Sequence, residues 1–169
     1  SLTEKLDKDT IDKLPDTVKI ISNFAVGFGN IDLEAAKKRG IAVTNTPDVL
    51  SDATAEIGVL LILGACRRAA EGISSAREGG WKWSADYLIG KQITGTRLGV
   101  LGMGRIVQKI AKIAKSLGMV IHYHNRSKLN PEKENGAIYH DNLKSLFSVS
   151  DVLSICCPAT KETEKMINK

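Results

Sequence analysis

The sequence predicts an α/β protein built on a doubly wound parallel sheet. Two series of short β-branched runs alternate with helical stretches. The second series holds a Gly-x-Gly turn, Gly102-Met103-Gly104, between an apolar run and a helical one. The 169 residues are 43% hydrophobic and 25% charged, which suits a globular chain with a buried core. Aromatics make up only 5%, so that core rests on Ile, Leu, Val and Ala.

Residues 18–24 (VKIISNF) read as a buried strand. Asp32–Arg39 reads as a short helix closed by Gly40, and Ile41–Thr44 as a second strand, together the span of one parallel βαβ unit. Asn45–Asp48 is a turn. Ser51 suits a helix cap and Asp52 sets a negative charge in the first turn, so one helix is expected from there to about Glu71. Its stretch Ile57–Cys66 is apolar on nearly every side, which predicts burial between layers. Gly79–Trp83 breaks regular structure. The second series begins with a strand at Arg97–Leu101 and a helix at Arg105–Leu117, with Ile106, Ile110, Ile113, Ala114 and Leu117 toward the sheet. A strand at Met119–Tyr123, a polar segment opened by Pro131, a weak strand at Ile138–His140, a helix at Asn142–Phe147 and a strand at Val152–Cys156 follow.

Charge and cysteine content exclude several classes. Lys and Arg number 24 against 19 Asp and Glu, a net +5 that is scattered. Lys109, Lys112 and Lys115 read as a solvated stripe. Without a concentrated basic patch or a reader motif, nucleic-acid binding is not expected. Three cysteines cannot build a disulfide scaffold, and no Cys/His spacing suggests a metal site; the usage fits a reducing, cytoplasmic setting. The longest apolar run, Ile57–Cys66, falls short of the roughly 20 residues that span a bilayer, so no membrane partner is expected. The chain opens at Ser1 and closes at Lys169 within a continuing pattern, so a piece cut at both ends is expected.

Gly102-Met103-Gly104 lies where a strand passes into a helix. The first glycine permits a tight turn, the second lets backbone N–H groups approach a pyrophosphate, and the following helix offers its positive end. The third small residue of the fingerprint is replaced by Val107, which is expected to push the helix outward or shift its first turn. The alternative is a tight turn that binds nothing. Asn125 lies 23 residues beyond Gly102, where an acid would hold the ribose 2′-hydroxyl of NAD. It is neutral, and Arg126, Ser127 and Lys128 follow, a set able to grip a 2′-phosphate. NADP is therefore the expected cofactor, with NAD possible; the alternative is a solvated polar turn.

Five segments together resemble the D-isomer-specific 2-hydroxyacid dehydrogenases: Asn23–Asp32, Asp52–Glu56, Trp81–Gly90, Gly102–Ile106 and Cys157–Thr163. The Asn125-Arg126-Ser127 turn is most similar to the glyoxylate/hydroxypyruvate reductase branch. The resemblance implies a Rossmann-type NAD(P)-binding domain over 52–169, incomplete at its C-terminus, and part of a flavodoxin-like substrate-binding domain over 1–51. It implies hydride transfer between nicotinamide and a 2-keto or 2-hydroxy acid. Val26 and Gly27 would hold the substrate carboxylate through backbone N–H groups, or serve an ordinary turn. Thr54 would touch the cofactor, or stabilise the helix start. Gly102, Gly104, Arg105 and Ile106 would cover the pyrophosphate, Cys157 and Pro158 would line the adenosine side, and Thr163 would add a polar contact. The family's catalytic Arg, Glu and His would fall beyond Lys169, leaving His122, His124 and His140 as structural or surface residues. A homodimer through the nucleotide domain is implied. A dinucleotide-sensing corepressor-like protein and an inactive remnant are the alternatives.

Overall fold

The computed structural model describes residues 4–79, 83–158 and 160–168, and its chain divides into two compact units, Ser1–Leu50 and Ser51–Lys169. Gly80–Lys82 of the expected irregular stretch, and Ala159 of the Cys157–Thr163 segment, lie outside the described residues.

The first unit contains α1 (Lys8–Asp12), β1 (Ile20–Ser22), α2 (Leu33–Lys38) and β2 (Ala42–Thr44). β1 and β2 pair in parallel, Ile20 opposite Ala42 and Ser22 opposite Thr44. Asp32 caps α2 by accepting the Ala35 N–H at 2.9 Å, and Gly40 leaves the helix at φ +64°, so this βαβ unit has the limits its residues predict to within two positions. Ile11, Ile21, Ile31, Ala35, Ala36 and Ile41 form its core. Arg39 donates to the Ile11 and Leu14 carbonyls at 2.6 Å each and to Asp16 at 2.7 Å, tying the α1 region to α2.

The second unit contains α3 (Ser51–Cys66), α4 (Ala69–Arg77), β3 (Arg97–Leu101), α5 (Arg105–Ser116), β4 (Val120–His124), α6 (Pro131–Glu134), β5 (Ile138–Tyr139), α7 (Leu143–Val149) and β6 (Val152–Ile155). Its four strands run in the order β5-β4-β3-β6, every pair parallel. The chain thus winds outward from β3 to β5, then returns to the other side of β3. Leu98, Val100, Ile121 and Tyr123 of the sheet pack with Ala55, Val59 and Ile62 of α3 and Val107, Ile110, Ala111 and Ala114 of α5. Gly58 lets α3 and α5 meet, since a Cβ there would collide with the Ile110 side chain.

Five expectations need correction. The long helix breaks after Cys66: Arg68 takes a left-handed φ of 53°, and the Cys66 carbonyl accepts the Lys91 N–H at 2.7 Å. Ser51 is the first residue of α3 and not the cap before it, although Asp52 does occupy the first turn. Ile57, Leu60 and Leu61 are more than half exposed, so α3 is buried on one face alone within this chain. Leu117 is likewise exposed, and Val107 and Ala111 supply the buried face of α5 beside Ile110 and Ala114. Two of the three lysines of the stripe are also partnered: Lys109 donates to Asp52 at 2.5 Å and Lys115 to the Asn135 carbonyl at 2.7 Å.

At the N-terminal end of the sheet, Asp151 accepts the backbone N–H and the Nε–H of Arg97, both at 2.9 Å, and Lys91 Nζ at 3.1 Å. The Arg97 side chain and backbone donors hold its carboxyl well below the usual carboxylate range, with Lys91 adding to them.

The three histidines are structural. His122 Nδ1 lies 2.8 Å from His140 Nε2, and His140 Nδ1 lies 2.5 Å from Ser145 Oγ, which links β4 to α7. His124 donates through Nδ1 to the His140 carbonyl at 2.8 Å. Burial, then His140, then Arg97 lower the pKa of His122. A base whose folded pKa is depressed binds more protons when unfolded, so stability falls as pH drops through the unfolded value of about 6.5. Thermal melts at stepped pH between about 8 and about 5 are expected to show that loss in the native protein and less of it in His122→Gln. Parallel curves would contradict the assignment.

Candidate dinucleotide site

The second unit offers a binding edge at the C-terminal ends of β3, β4 and β6. The direction of winding reverses between β3 and β6, which is where open parallel sheets leave a crevice. Gly102, directly after β3, has φ +92° and donates its N–H to the His124 carbonyl at 3.0 Å. A Cβ there would stand 2.8 Å from Cys157 N and Cα, so the turn rests on the backbone leaving β6. Met103 is buried below the turn and donates its N–H to Asn125 Oδ1 at 2.7 Å.

Gly104 is the N-cap of α5 and makes no side-chain cap. Nothing lies within 4 Å of the point a Cβ would occupy, and the first turn of α5 carries no acidic residue. The helix therefore turns its first N–H groups and the positive end of its dipole toward open space, a fit for a pyrophosphate. Val107 does not disturb this start: it is buried in the core, and the Gln108 N–H reaches the Gly104 carbonyl at 2.9 Å. Arg105 is exposed at the same helix end and Ile106 packs partly into the core.

The turn after β4 differs from its sequence reading in one respect. Asn125 commits its amide oxygen to Met103, so it braces the glycine turn and keeps only its Nδ2 donors for a ligand. Arg126, Ser127 and Lys128 are exposed beside it. Lys128 Nζ lies 3.8 Å from Glu134 Oε1. Thr160 Oγ1, which donates at 2.7 Å, holds the Glu162 carboxyl below its ordinary value, with the charge of Arg126 a lesser cause. Past β6, Cys157 is partly buried and Pro158 exposed. Thr163 donates its hydroxyl to the Pro158 carbonyl at 2.7 Å and accepts the Thr160 N–H at 2.8 Å, so it closes this loop on itself. Thr54 is exposed in the first turn of α3, two residues after the Asp52 that pairs with Lys109.

Val26 and Gly27 belong to the first unit, in the loop after β1. The carbonyls of Ala25, Val26 and Gly27 accept, in turn, the Thr46 N–H at 3.0 Å, Asn45 Nδ2 at 2.9 Å and Asn23 Nδ2 at 2.7 Å. Among the described residues, no hydrogen bond leaves the N–H of Val26 or Gly27. The loop ties its carbonyls back and leaves these two N–H groups for another acceptor, the kind of donor pair an anion can use. Asn23 is 2% exposed and its Oδ1 has no partner among the described residues. The bracing roles of Asn23 and Asn45 do not follow from residue type alone; two amides flanking a glycine loop are the signal for them.

A Gly-x-Gly turn seated at the reversal point of a parallel sheet, under an uncapped helix, defines a dinucleotide-binding α/β domain. Residues 59–169 match the family model described as the NAD-binding domain of D-isomer-specific 2-hydroxyacid dehydrogenases, and the chain belongs to that family. The matched domain assigns a nicotinamide dinucleotide as its cofactor class. The chain is 42% identical over 174 residues to a glyoxylate reductase of Thermococcus kodakarensis, covering 99% of this chain and 52% of that protein. It is 42% identical over 172 residues to a glycerate dehydrogenase of Hyphomicrobium methylovorum, covering 100% and 53%. A crystal structure of a glyoxylate reductase from Paecilomyes thermophila superposes with a TM-score of 0.87 at 39% identity, covering 96% of this chain and 48% of that one. The chain thus spans about half the length of the relatives it matches.

Proposed function

We propose that the protein carrying this chain is an NADP-preferring 2-hydroxyacid dehydrogenase that reduces a small 2-keto acid, glyoxylate or hydroxypyruvate. The observation that carries the cofactor choice is the exposed Arg126-Ser127-Lys128 turn following a neutral Asn125 at the end of β4. An acid there would repel a 2′-phosphate; this turn supplies two cations and a hydroxyl. The names of the relatives support the substrate class and favour an enzyme over a sensor that only binds.

In this reading the 52–169 domain holds the dinucleotide and the 1–51 domain takes part in holding the acid. The pyrophosphate rests on the N–H groups of the first turn of α5 that follow Gly104, in the space the Gly102 turn leaves open, under Arg105 and Ile106. Cys157 and Pro158 border the adenosine, with Thr163 keeping their loop in shape and Thr54 meeting the cofactor from α3. The bound nicotinamide supplies the hydride that reduces C2 of the keto acid. The substrate carboxylate sits on the N–H groups of Val26 and Gly27, which orients C2. The Arg that polarises the carbonyl and the Glu–His proton donor are assigned outside residues 1–169. The exposed Ile57, Leu60 and Leu61 of α3, with Trp83 at 78% exposure, support a homodimer. Three free thiols suit a reducing compartment such as the cytoplasm.

Fluorescence titration with NADPH and NADH, on a sample whose mass in solution is also measured, checks the reading. Tighter NADPH binding by a dimer is expected. Equal or tighter NADH binding would overturn the cofactor assignment, and a monomer at micromolar concentration would overturn the dimer.

A further inference from the structure

Tyr123 is fully buried in β4, yet its hydroxyl anchors the turn that follows. It donates to Glu134 Oε1 at 2.6 Å and accepts the Leu129 N–H at 3.0 Å. Burial and the bond to Glu134 push the Tyr123 hydroxyl up to about 12, so it remains a donor at neutral pH. The Glu134 side chain, 14% exposed at the end of α6, therefore sits beneath the turn with its Oε1 shared between Tyr123 and the Lys128 ammonium at 3.8 Å. One of the turn's two cations is thus already facing a carboxylate.

We propose that Glu134 is a specificity-determining positioning residue: it restrains Lys128 from below and so sets how strongly the 126–128 turn discriminates a 2′-phosphate from a 2′-hydroxyl. The proposal rests on the reading of that turn as the phosphate-facing one. A 2′-phosphate has to compete with Glu134 for Lys128 and is repelled by the same carboxylate. A 2′-hydroxyl carries no charge and experiences neither effect. Removing the Glu134 charge should therefore act on NADPH and leave NADH nearly unchanged. The Tyr123 anchor survives in Glu134→Gln, because the amide oxygen still accepts the hydroxyl.

The test is titration of the purified protein and its variants with NADPH and NADH, with thermal melts alongside. Glu134→Gln is expected to raise the ratio of the NADH to the NADPH dissociation constant about 3- to 10-fold, NADH itself moving less than about twofold. Tyr123→Phe removes the anchor and keeps the charge, so it is expected to weaken both cofactors equally. An unchanged or lowered ratio in Glu134→Gln overturns the proposal, since a purely structural role would move both cofactors together. If that variant does not fold, Glu134→Asp decides, because it keeps the charge and draws it back by one methylene; the ratio should rise by less, and no rise overturns the proposal. The native ratio tests the NADP reading, and the change in ratio tests Glu134, so the two can fail separately.

Discussion

Gly102→Ala is expected to unfold the second unit at markedly lower temperature and to abolish dinucleotide binding. At φ +92° an alanine is strained, and its Cβ would lie 2.8 Å from the N and Cα of Cys157. Backbone cannot swing aside as a long side chain can, so either the turn or the exit of β6 has to move. Strain and overlap together cost about 2–4 kcal/mol, which corresponds to a fall in melting temperature of about 8 °C or more for a unit of this size. Gly104→Ala is the matched control. Its Cβ meets nothing within 4 Å and its φ of −80° is ordinary, so the fold should hold while the methyl group obstructs the pyrophosphate. Melting curves and NADPH titration of both variants check this. A Gly102→Ala protein that melts and binds like the native one would show that the turn does not depend on that contact.

Arg126→Ala is expected to remove most of the preference for NADPH. Its guanidinium is the exposed group able to make paired, charge-assisted bonds to a 2′-phosphate. Losing them costs about 2 kcal/mol, or about thirtyfold in the NADPH dissociation constant. NADH, which presents a hydroxyl there, should change by less than about twofold, and the melting temperature should hold, because the side chain is at the surface. An equal loss for both cofactors would assign Arg126 to a part of the dinucleotide that the two share.

Much of the fold was legible because local and tertiary preferences agree. After Arg97 the strand residues to Leu101 are apolar, the turn is Gly-x-Gly and the helix that follows is amphipathic, so every level points the same way. The failures occur where a distant segment decides. Nothing near Arg68 announces a break; the Lys91 N–H takes the Cys66 carbonyl at 2.7 Å, and the helix ends there. Val107 reads as a defect in a motif, whereas in place it fills the space where α5 meets the sheet. The short α1 escapes periodicity because five residues bury a single side chain, Ile11. At the site, the glycine turn and the basic turn were legible from residue type and spacing. What lies beneath them was not. That Asn125 spends its oxygen on Met103, and that Tyr123 reaches Glu134, depends on how β4, the glycine turn and α6 come together.

The clasp of Arg97, Lys91 and Asp151 sits at the opposite end of the strands from Gly102, a separation of about 15 Å for strands of this length. On the proposed cofactor reading, what fastens the sheet and what selects the ligand are different residues on different rims. Substitutions confined to the exposed 126–128 turn would then exchange one dinucleotide for the other while the clasp keeps the scaffold intact. On that proposal, cofactor preference is adjustable separately from the fold that displays it.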